Sequence, residues 1–350
     1  MNVLYVGPLS EGGTCLMRMR AMQALGHKAI PLDSDPAPHS FEQRRLLPRI
    51  ARKIGRPLDL TNVNGRLLVA VKEHRPDILW IDKGLGIWPM TLEEVRTLTP
   101  ETKLVGYSPD DMGRRHNQSS FFLKSLALYD LFFTTKPFNV TELRAMGARR
   151  VVQIGEGFDP DTHKPAMVTA EDRQRLGSPV GFVGAWERDR GEKMLALADA
   201  GVHVRVWGWQ PPRGWSKPKH ACLNIEGRPL WGDEYAKALS SFDIALCFLR
   251  KINRDVTTSR SVEIPACGTF MLAERTNEHL ELFEEGKEAE FFDNKEELID
   301  KCKFYLANSA ARFRIAEAGR ERCLKSGYSN YDRVRTMLQE VMKLRDLSCQ

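Results

Sequence analysis

Two doubly wound α/β domains in series, each a parallel sheet with helices on both faces, are the fold class that the sequence predicts. Three observations carry this. Short apolar runs of strand length alternate with helical patterns through both halves of the chain. One stretch breaks the alternation, Gly155-Glu-Gly-Phe-Asp-Pro-Asp-Thr-His-Lys-Pro165, and its two glycines and two prolines read as an interdomain connector. The size fits too: 350 residues, 42% hydrophobic, 28% charged and 9% aromatic, suit two globular domains and exclude wholesale disorder.

The elements follow in order. Asn2–Val6 is a strand, Gly7–Gly13 a loop, Thr14–Leu25 a helix ended by Gly26, and His27–Leu32 the next strand. Asp77–Ile81 and Lys103–Tyr107 are further strands, separated by a helix over Thr91–Thr97 whose Thr-x-x-Glu opening resembles a capping box. Leu131–Thr135, a helix over Phe138–Met146 and the strand Arg150–Ile154 complete the first half. Beyond the connector come strand Val180–Val183, helix Gly191–Ala200, strand His203–Gly208, a loop rich in Pro, Gly and Trp, helix Glu234–Ser240, and strands Ile244–Phe248 and Phe270–Ala273. Lys295–Leu306 and Ala310–Lys325 are helices, and in Asn330–Leu347 the apolar Val334, Met337, Leu338, Val341 and Leu344 recur at helical spacing.

Charge and cysteine usage narrow the class. The net charge of +6 is mild for this length and does not by itself announce a nucleic-acid binder. No run of about 18 apolar residues is present, which excludes a spanning helix. The start, MNVLYVGPLSEGG, lacks the basic and apolar regions of a signal peptide. The seven cysteines form no C-x-x-C pair, and several lie in apolar contexts such as Ala-Leu-Cys247-Phe-Leu. A reduced, cytoplasmic protein is expected.

Three loops could carry chemistry. Gly12-Gly13 stands between the first strand and the first helix, where glycines let backbone N–H groups approach a ligand; a tight turn without a ligand fits equally. The spacing is not G-x-G-x-x-G, so the dinucleotide fingerprint fails. Gly184-Ala-Trp-Glu-Arg-Asp-Arg-Gly191 repeats the arrangement in the second half, and Arg188 and Arg190 could clamp phosphate oxygens or form a solvated charged loop. The densest stretch is Asn253–Gly268. At a spacing of three, Arg260 and Glu263 share a helical face, either as a structural ion pair or with the carboxylate accepting from ribose hydroxyls. Beyond the following strand, Thr276 or Asn277 caps a helix whose N–H groups could meet a diphosphate.

Arg260-Ser-Val-Glu-Ile-Pro-Ala-Cys-Gly-Thr-Phe-Met-Leu-Ala-Glu-Arg275 resembles the signature of the spore-maturation-protein (spore coat) type of GT-B glycosyltransferase. Leu282-Phe-Glu-Glu-Gly-Lys-Glu288, Lys295-Glu-Glu-Leu298, Arg312–Arg320 and Gly181–Arg190 extend the likeness, and Gly157–Pro165 is similar to the GT-B hinge. The resemblance covers residues 155 to 340; the first half matches in layout. It implies an acceptor-side domain at 1–158, a nucleotide-sugar domain at 159–328, and a helix at 329–350 returning to the first domain, with transfer in the cleft between the two domains. It also implies a nucleotide-diphosphate sugar as co-substrate, taken here as a UDP-sugar, an acceptor of unknown identity, and no metal or other cofactor. Glu263 falls on the second acid of the E-x7-E motif, which holds the ribose; Asp255 falls on the first, shorter by a methylene. Arg190 falls on the basic residue that meets the diphosphate, and Arg260 could replace an arginine that Ala185 lacks.

Two further features stay open. Tyr107-Ser-Pro-Asp-Asp-Met112 ends a strand, so Asp110 or Asp111 could be a general base in an inverting reaction, or part of a turn. Arg44–Arg56 holds basic residues and no acid, with Arg45, Arg49, Arg52 and Arg56 on one helical face and Leu46, Ile50 and Ile54 on another. It could meet an anionic inner-membrane face or an anionic acceptor, or be solvated. The alternatives to glycosyl transfer are a nucleotide-sugar epimerase on the same fold and a non-catalytic anionic-surface or nucleic-acid binding protein. No nucleic-acid partner is expected, since no recognised binding motif occurs.

Overall fold

A computed structural model describes residues 1–35, 46–208 and 220–348, with side chains to residue 344. The chain divides into two compact units, one formed by 1–155 with the residues from Asn330 onward and the other by 156–329. The second boundary lies within a residue of expectation; the first lies three residues earlier. Phe158 explains that shift, because its N–H donates to the Tyr328 carbonyl and its ring packs in the second unit's core.

Among the described residues, the first unit holds the strands β1 (Asn2–Gly7), β2 (Lys28–Asp33), β3 (Ile78–Asp82), β4 (Lys103–Ser108), β5 (Leu131–Thr134) and β6 (Val151–Gln153). They form one parallel sheet in the order β2-β1-β3-β4-β5-β6. Strands such as Ile-Leu-Trp-Ile-Asp82 are apolar without alternation because both faces are covered. On one face Trp80 stacks between Tyr5, Tyr107 and Phe133. Helices α1 (Thr14–Ala24) and, from the far end of the chain, Asn330–Ser348 cover this layer. Val334, Met337, Leu338 and Val341 are buried there and Leu344 packs at the edge, so the last helix does complete the first unit. The opposite face is covered from Val63–His74, Pro89–Leu98 and the segment around Phe122.

In chain order the helices of this unit after α1 are α2 (Leu46–Lys53), α3 (Val63–His74), α4 (Pro89–Leu98), α5 (Ser120–Ser125) and α6 (Pro137–Ala145). Helix α4 corrects one expectation. It starts at Pro89, whose fixed φ suits the first helical position, with Trp88 as the N-cap. Thr91 is inside the first turn, and its hydroxyl donates to Asn64 Oδ1 at 2.9 Å, so the Thr-x-x-Glu capping box does not form.

The second unit repeats the plan. Its strands are β7 (Ser178–Val183), β8 (Val204–Trp207), β9 (Leu223–Ile225), β10 (Phe242–Cys247), β11 (Met271–Glu274) and β12 (Glu290–Phe292). The parallel order is β12-β11-β10-β7-β8-β9. Its helices are α7 (Ala170–Leu176), α8 (Arg188–Asp199), α9 (Gly232–Ser240), α10 (Arg260–Ala266), α11 (Asn277–Leu282), α12 (Lys295–Ala307) and α13 (Ser309–Lys325), and the helix described above is α14 (Asn330–Ser348). The sequence reading missed α3, α5, α7, β9 and β12. The two strands are three-residue edges, too short to show a period, and α7 depends on a Thr169–Asp172 capping box.

Candidate functional site

Strand order reverses direction between β7 and β10 in the second sheet, and in doubly wound sheets the ligand crevice opens beyond the carboxyl ends at such a point. Two arginines meet there. Arg190, in the first turn of α8, is 2% exposed and donates from Nη1 to the Ala185 carbonyl, just beyond β7, at 2.8 Å. Its Nη2 lies 3.5 Å from the Phe248 carbonyl, at the end of β10. Arg260, the first residue of α10, reaches the same Phe248 carbonyl from Nη2 at 3.4 Å. Both guanidiniums stand 5.7 Å from the Phe182 ring. Both Nε atoms are buried without a hydrogen-bond partner. Burial, reinforced by the Arg260 charge, pulls the Arg190 pKa down to about 10. An anion entering here would relieve two crowded cations.

Acids frame this pair without neutralising it. Glu187 Oε2 stays 3.9 Å from Arg190 Nε and accepts instead from the Lys251 N–H at 3.1 Å. Glu274, at the end of β11, accepts from the Leu249 N–H at 2.9 Å and from Lys251 Nζ at 3.2 Å. Asp255 accepts from Asn253 Nδ2 at 2.7 Å and from the Arg250 N–H at 3.3 Å, and its charge reaches Arg190.

Glu263 lies one turn into α10, 5% exposed. The Tyr235 hydroxyl donates to its Oε2 at 2.7 Å, while its Oε1 faces His163 Nε2 at 3.9 Å. The Asp159 N–H donates to His163 Nδ1 at 3.0 Å, so the neutral ring carries its proton on Nε2, toward Glu263. Burial and then the Glu263 charge raise the Tyr235 pKa, which keeps the phenol a donor. Among the described residues no ion pair joins Arg260 and Glu263, so the structural-pair alternative falls.

Residues 188–339 match the family model described as glycosyl transferase-like. Across its length the chain is similar in fold to a sucrose-phosphate synthase from Thermosynechococcus elongatus, with a TM-score of 0.68 at 14% identity over 99% of this chain and 100% of that one. It is similar to Anabaena HepE in complex with UDP and glucose (TM-score 0.66, 13% identity, 98% and 100% covered). It is also similar to an alpha-glucosyltransferase in complex with UDP-glucose and DNA containing an abasic site (0.69, 14%, 97% and 98%). The fold is that of the GT-B glycosyltransferases. No curated protein matches the sequence. A structure described as a UDP-N-acetylglucosamine 2-epimerase from Listeria monocytogenes is less similar, at a TM-score of 0.53.

The other residues singled out from the sequence divide. Gly184 is at the switch point, but its N–H donates to the Trp207 carbonyl at 2.9 Å and is spent on the sheet edge. Arg188 corrects its expectation: it points to solvent and pairs with Glu192 at 2.9 Å. Thr276 is the α11 cap, accepting from the His279 N–H and donating to the Val256 carbonyl, and Asn277 is the first helical residue. In the first unit Gly13 turns back, its N–H on the Ser10 carbonyl, after Gly12 at φ 73°. Asp111 is wholly buried, holding Asn139 Nδ2 at 2.9 Å and the Gly113 N–H at 3.1 Å, so it ties a loop. Asp110 pairs with Lys83 at 3.0 Å. Arg44 and Arg45 lie outside the described residues.

Two groups of residues escaped the sequence reading. At the switch point of the first sheet, between β1 and β3, the buried Asp82 Oδ2 accepts from Tyr5 Oη at 2.8 Å and from Arg18 Nε and Nη2 at 3.1 and 2.9 Å. An acid closing the apolar run Ile-Leu-Trp-Ile-Asp82 was the available signal. Under the second site, Ser261 Oγ meets His279 Nε2 at 2.7 Å, and His279 Nδ1 meets the Glu274 carbonyl at 2.6 Å. The Thr258 N–H donates to Ser261 Oγ at 3.0 Å, so the hydroxyl proton points to a neutral His279. This chain ties α10, α11 and β11 together beside Arg260 and Glu263.

Burial lowers the His279 pKa. The folded state thus resists a proton that the unfolded chain accepts below about pH 6.5, and stability is full above that pH and lost as pH falls toward the folded value. Melting temperature should fall between about pH 6.5 and 5 in the parent and fall less steeply in His279→Gln. Parallel curves would remove His279 from this role.

Proposed function

We propose that the protein transfers a glycosyl unit from a UDP-sugar to an acceptor hydroxyl, with Arg190 and Arg260 receiving the diphosphate as it departs. The observation that carries this is the buried pair of guanidiniums converging on the Phe248 carbonyl at the second sheet's switch point, each with an unpartnered Nε. Negative charge grows on the leaving diphosphate, and fixed cations in a water-poor site stabilise it with little reorganisation. The UDP base is taken from the fold neighbours whose structures hold UDP or UDP-glucose. The arginines take the place of a metal in this reading; among the described residues no three His, Cys, Asp or Glu side chains gather as a metal would need.

In the same reading Glu263 Oε1 accepts a ribose hydroxyl, with Tyr235 orienting the carboxylate through the other oxygen. Asp255 stands beside Arg190 as the acid expected near the reacting sugar. The likeness of Arg260–Arg275 to the spore-maturation-protein type supports this assignment. The protein works in the cytosol, and the basic 44–56 segment contacts an anionic surface at the inner face of the membrane. Among the described residues no helix is long and apolar enough to cross a membrane.

Calorimetry with UDP and UDP-sugars, in EDTA, tests the donor site. UDP should bind without metal, and Glu263→Gln should weaken it by about one order of magnitude, the loss of one charge-assisted bond, with the melting temperature kept because Tyr235 still finds an acceptor. Binding that needs Mg²⁺ or Mn²⁺, or an unaltered affinity beside a much lower melting temperature, would refute this reading. An isomerised sugar without transfer would favour the epimerase.

A further inference from the structure

Helix α2 buries none of its residues, although half of them are apolar. Leu46, Leu47, Ile50, Ile54 and the nearby Leu58 are 48% to 73% exposed. At the helical advance of about 100° per residue, Leu46, Leu47, Ile50 and Ile54 fall within a single arc of about 100°. Arg49, Arg52 and Lys53 fall in the next arc, and Arg56 follows one turn on. Among the described residues none of these four cations has an ion-pair partner. Single exposed leucines are ordinary, whereas a contiguous aliphatic stripe bordered by unpaired arginines is not.

The helix is rooted at one edge of the first sheet. The Gly55 carbonyl accepts from the Ser120 N–H at 2.7 Å and from its hydroxyl at 2.9 Å. Ser119 Oγ donates to the Leu85 carbonyl beyond β3 at 2.7 Å. Thr61 Oγ1 donates to the Ser34 carbonyl at 3.2 Å, and Arg66 Nη2 to the Asp33 carbonyl at 2.6 Å, both at the end of β2. All these anchors lie beyond the carboxyl ends of the parallel strands, the edge at which doubly wound sheets receive ligands.

We infer that α2 lies in the plane of an anionic bilayer, its aliphatic stripe among the acyl chains and its arginines on lipid phosphates, and that it thereby brings this edge to an amphiphilic acceptor held in that bilayer. The acceptor half rests on the proposed glycosyl transfer; the docking half does not. Charge selects the occupant. A lipid surface supplies apolar depth and phosphate together, the pairing that an in-plane amphipathic helix takes. A second copy of the chain would set arginines against arginines.

The full chain, without donor, is sedimented with vesicles of phosphatidylcholine and of phosphatidylcholine mixed with phosphatidylglycerol. It should bind the anionic vesicles only, and added salt should release it. Arg49→Gln and Arg52→Gln should each weaken binding about fivefold, and Leu47→Glu with Ile50→Glu should abolish it. All variants should keep the parent melting temperature, since the positions are exposed. Equal binding to neutral vesicles, no binding, or self-association through the stripe in gel filtration would overturn the docking. With a labelled UDP-sugar and a membrane fraction as acceptor source, label should enter an organic-extractable product, and the Leu47→Glu, Ile50→Glu protein should lose this while still binding UDP. Label confined to water-soluble products would overturn the acceptor class, whereas a parent protein that binds vesicles but not UDP would sink only the donor reading.

Discussion

Arg190→Met should cut UDP affinity by about two orders of magnitude or more while the melting temperature stays level or rises. Two charge-assisted hydrogen bonds to a diphosphate are each worth roughly 1.5–3 kcal/mol, so losing both removes about 3 kcal/mol or more, a hundredfold at least. Uridine, which has no phosphate, should bind the variant within about twofold of the parent. Stability responds the other way because Arg190 is a buried cation with an unpartnered Nε and the Arg260 charge beside it. Methionine fills a similar stem volume and removes the desolvation penalty. Calorimetry with UDP and uridine, together with scanning calorimetry, reads both effects. Equal losses for UDP and uridine, or a large fall in melting temperature with UDP binding intact, would make Arg190 a structural residue.

The largest expected loss of stability is Asp82→Ala. Arg18 Nε and Nη2 and the Tyr5 hydroxyl all converge on Asp82 Oδ2, and Arg18 also lies 3.8 Å over the Tyr107 ring. Burial works to lower the Arg18 pKa, but Asp82, with Tyr107 and Tyr5, outweighs it and raises it. Removing the carboxylate strands a buried cation, a change that costs about 3–5 kcal/mol. The double variant Arg18→Met, Asp82→Ala should regain most of that, because no charge is left unpaired. Urea unfolding followed by the fluorescence of Trp80 and Trp88, in a background with the second unit's tryptophans replaced, reports this unit. A single variant that loses less than about 1 kcal/mol, or a double no better than the single, would show that Asp82 is not the counter-ion the fold depends on.

Much of this architecture is legible locally. Strands buried on both faces must be apolar runs, and runs such as Val3–Val6 and Ile78–Ile81 stood out for that reason. The α14 stripe was equally plain, since five apolar positions at helical spacing need a surface to cover. Glu263 and Arg190 could be singled out because their local sequences resemble a known signature. Asp82, Glu274 and His279 could not, since nothing near them in the chain names their partners: Arg18 is 64 residues from Asp82, and Ser261 is 18 from His279.

The sequence by itself determined the alternation of strand and helix, the position of the connector and the face that α14 buries, because each follows from periodicity within a few turns of chain. Only the tertiary structure decided which arginine of Glu187-Arg-Asp-Arg190 turns inward. Arg188 and Arg190 stand two residues apart on one helix, about 200° around its axis, so one must face solvent when the other faces the sheet. The choice went to Arg190 because the Phe248 carbonyl, 58 residues away, and the Phe182 ring beneath it are brought to that side by the pairing of β7 with β10. A hydrogen bond across that separation exists only once the sheet has formed, and no local pattern can encode it.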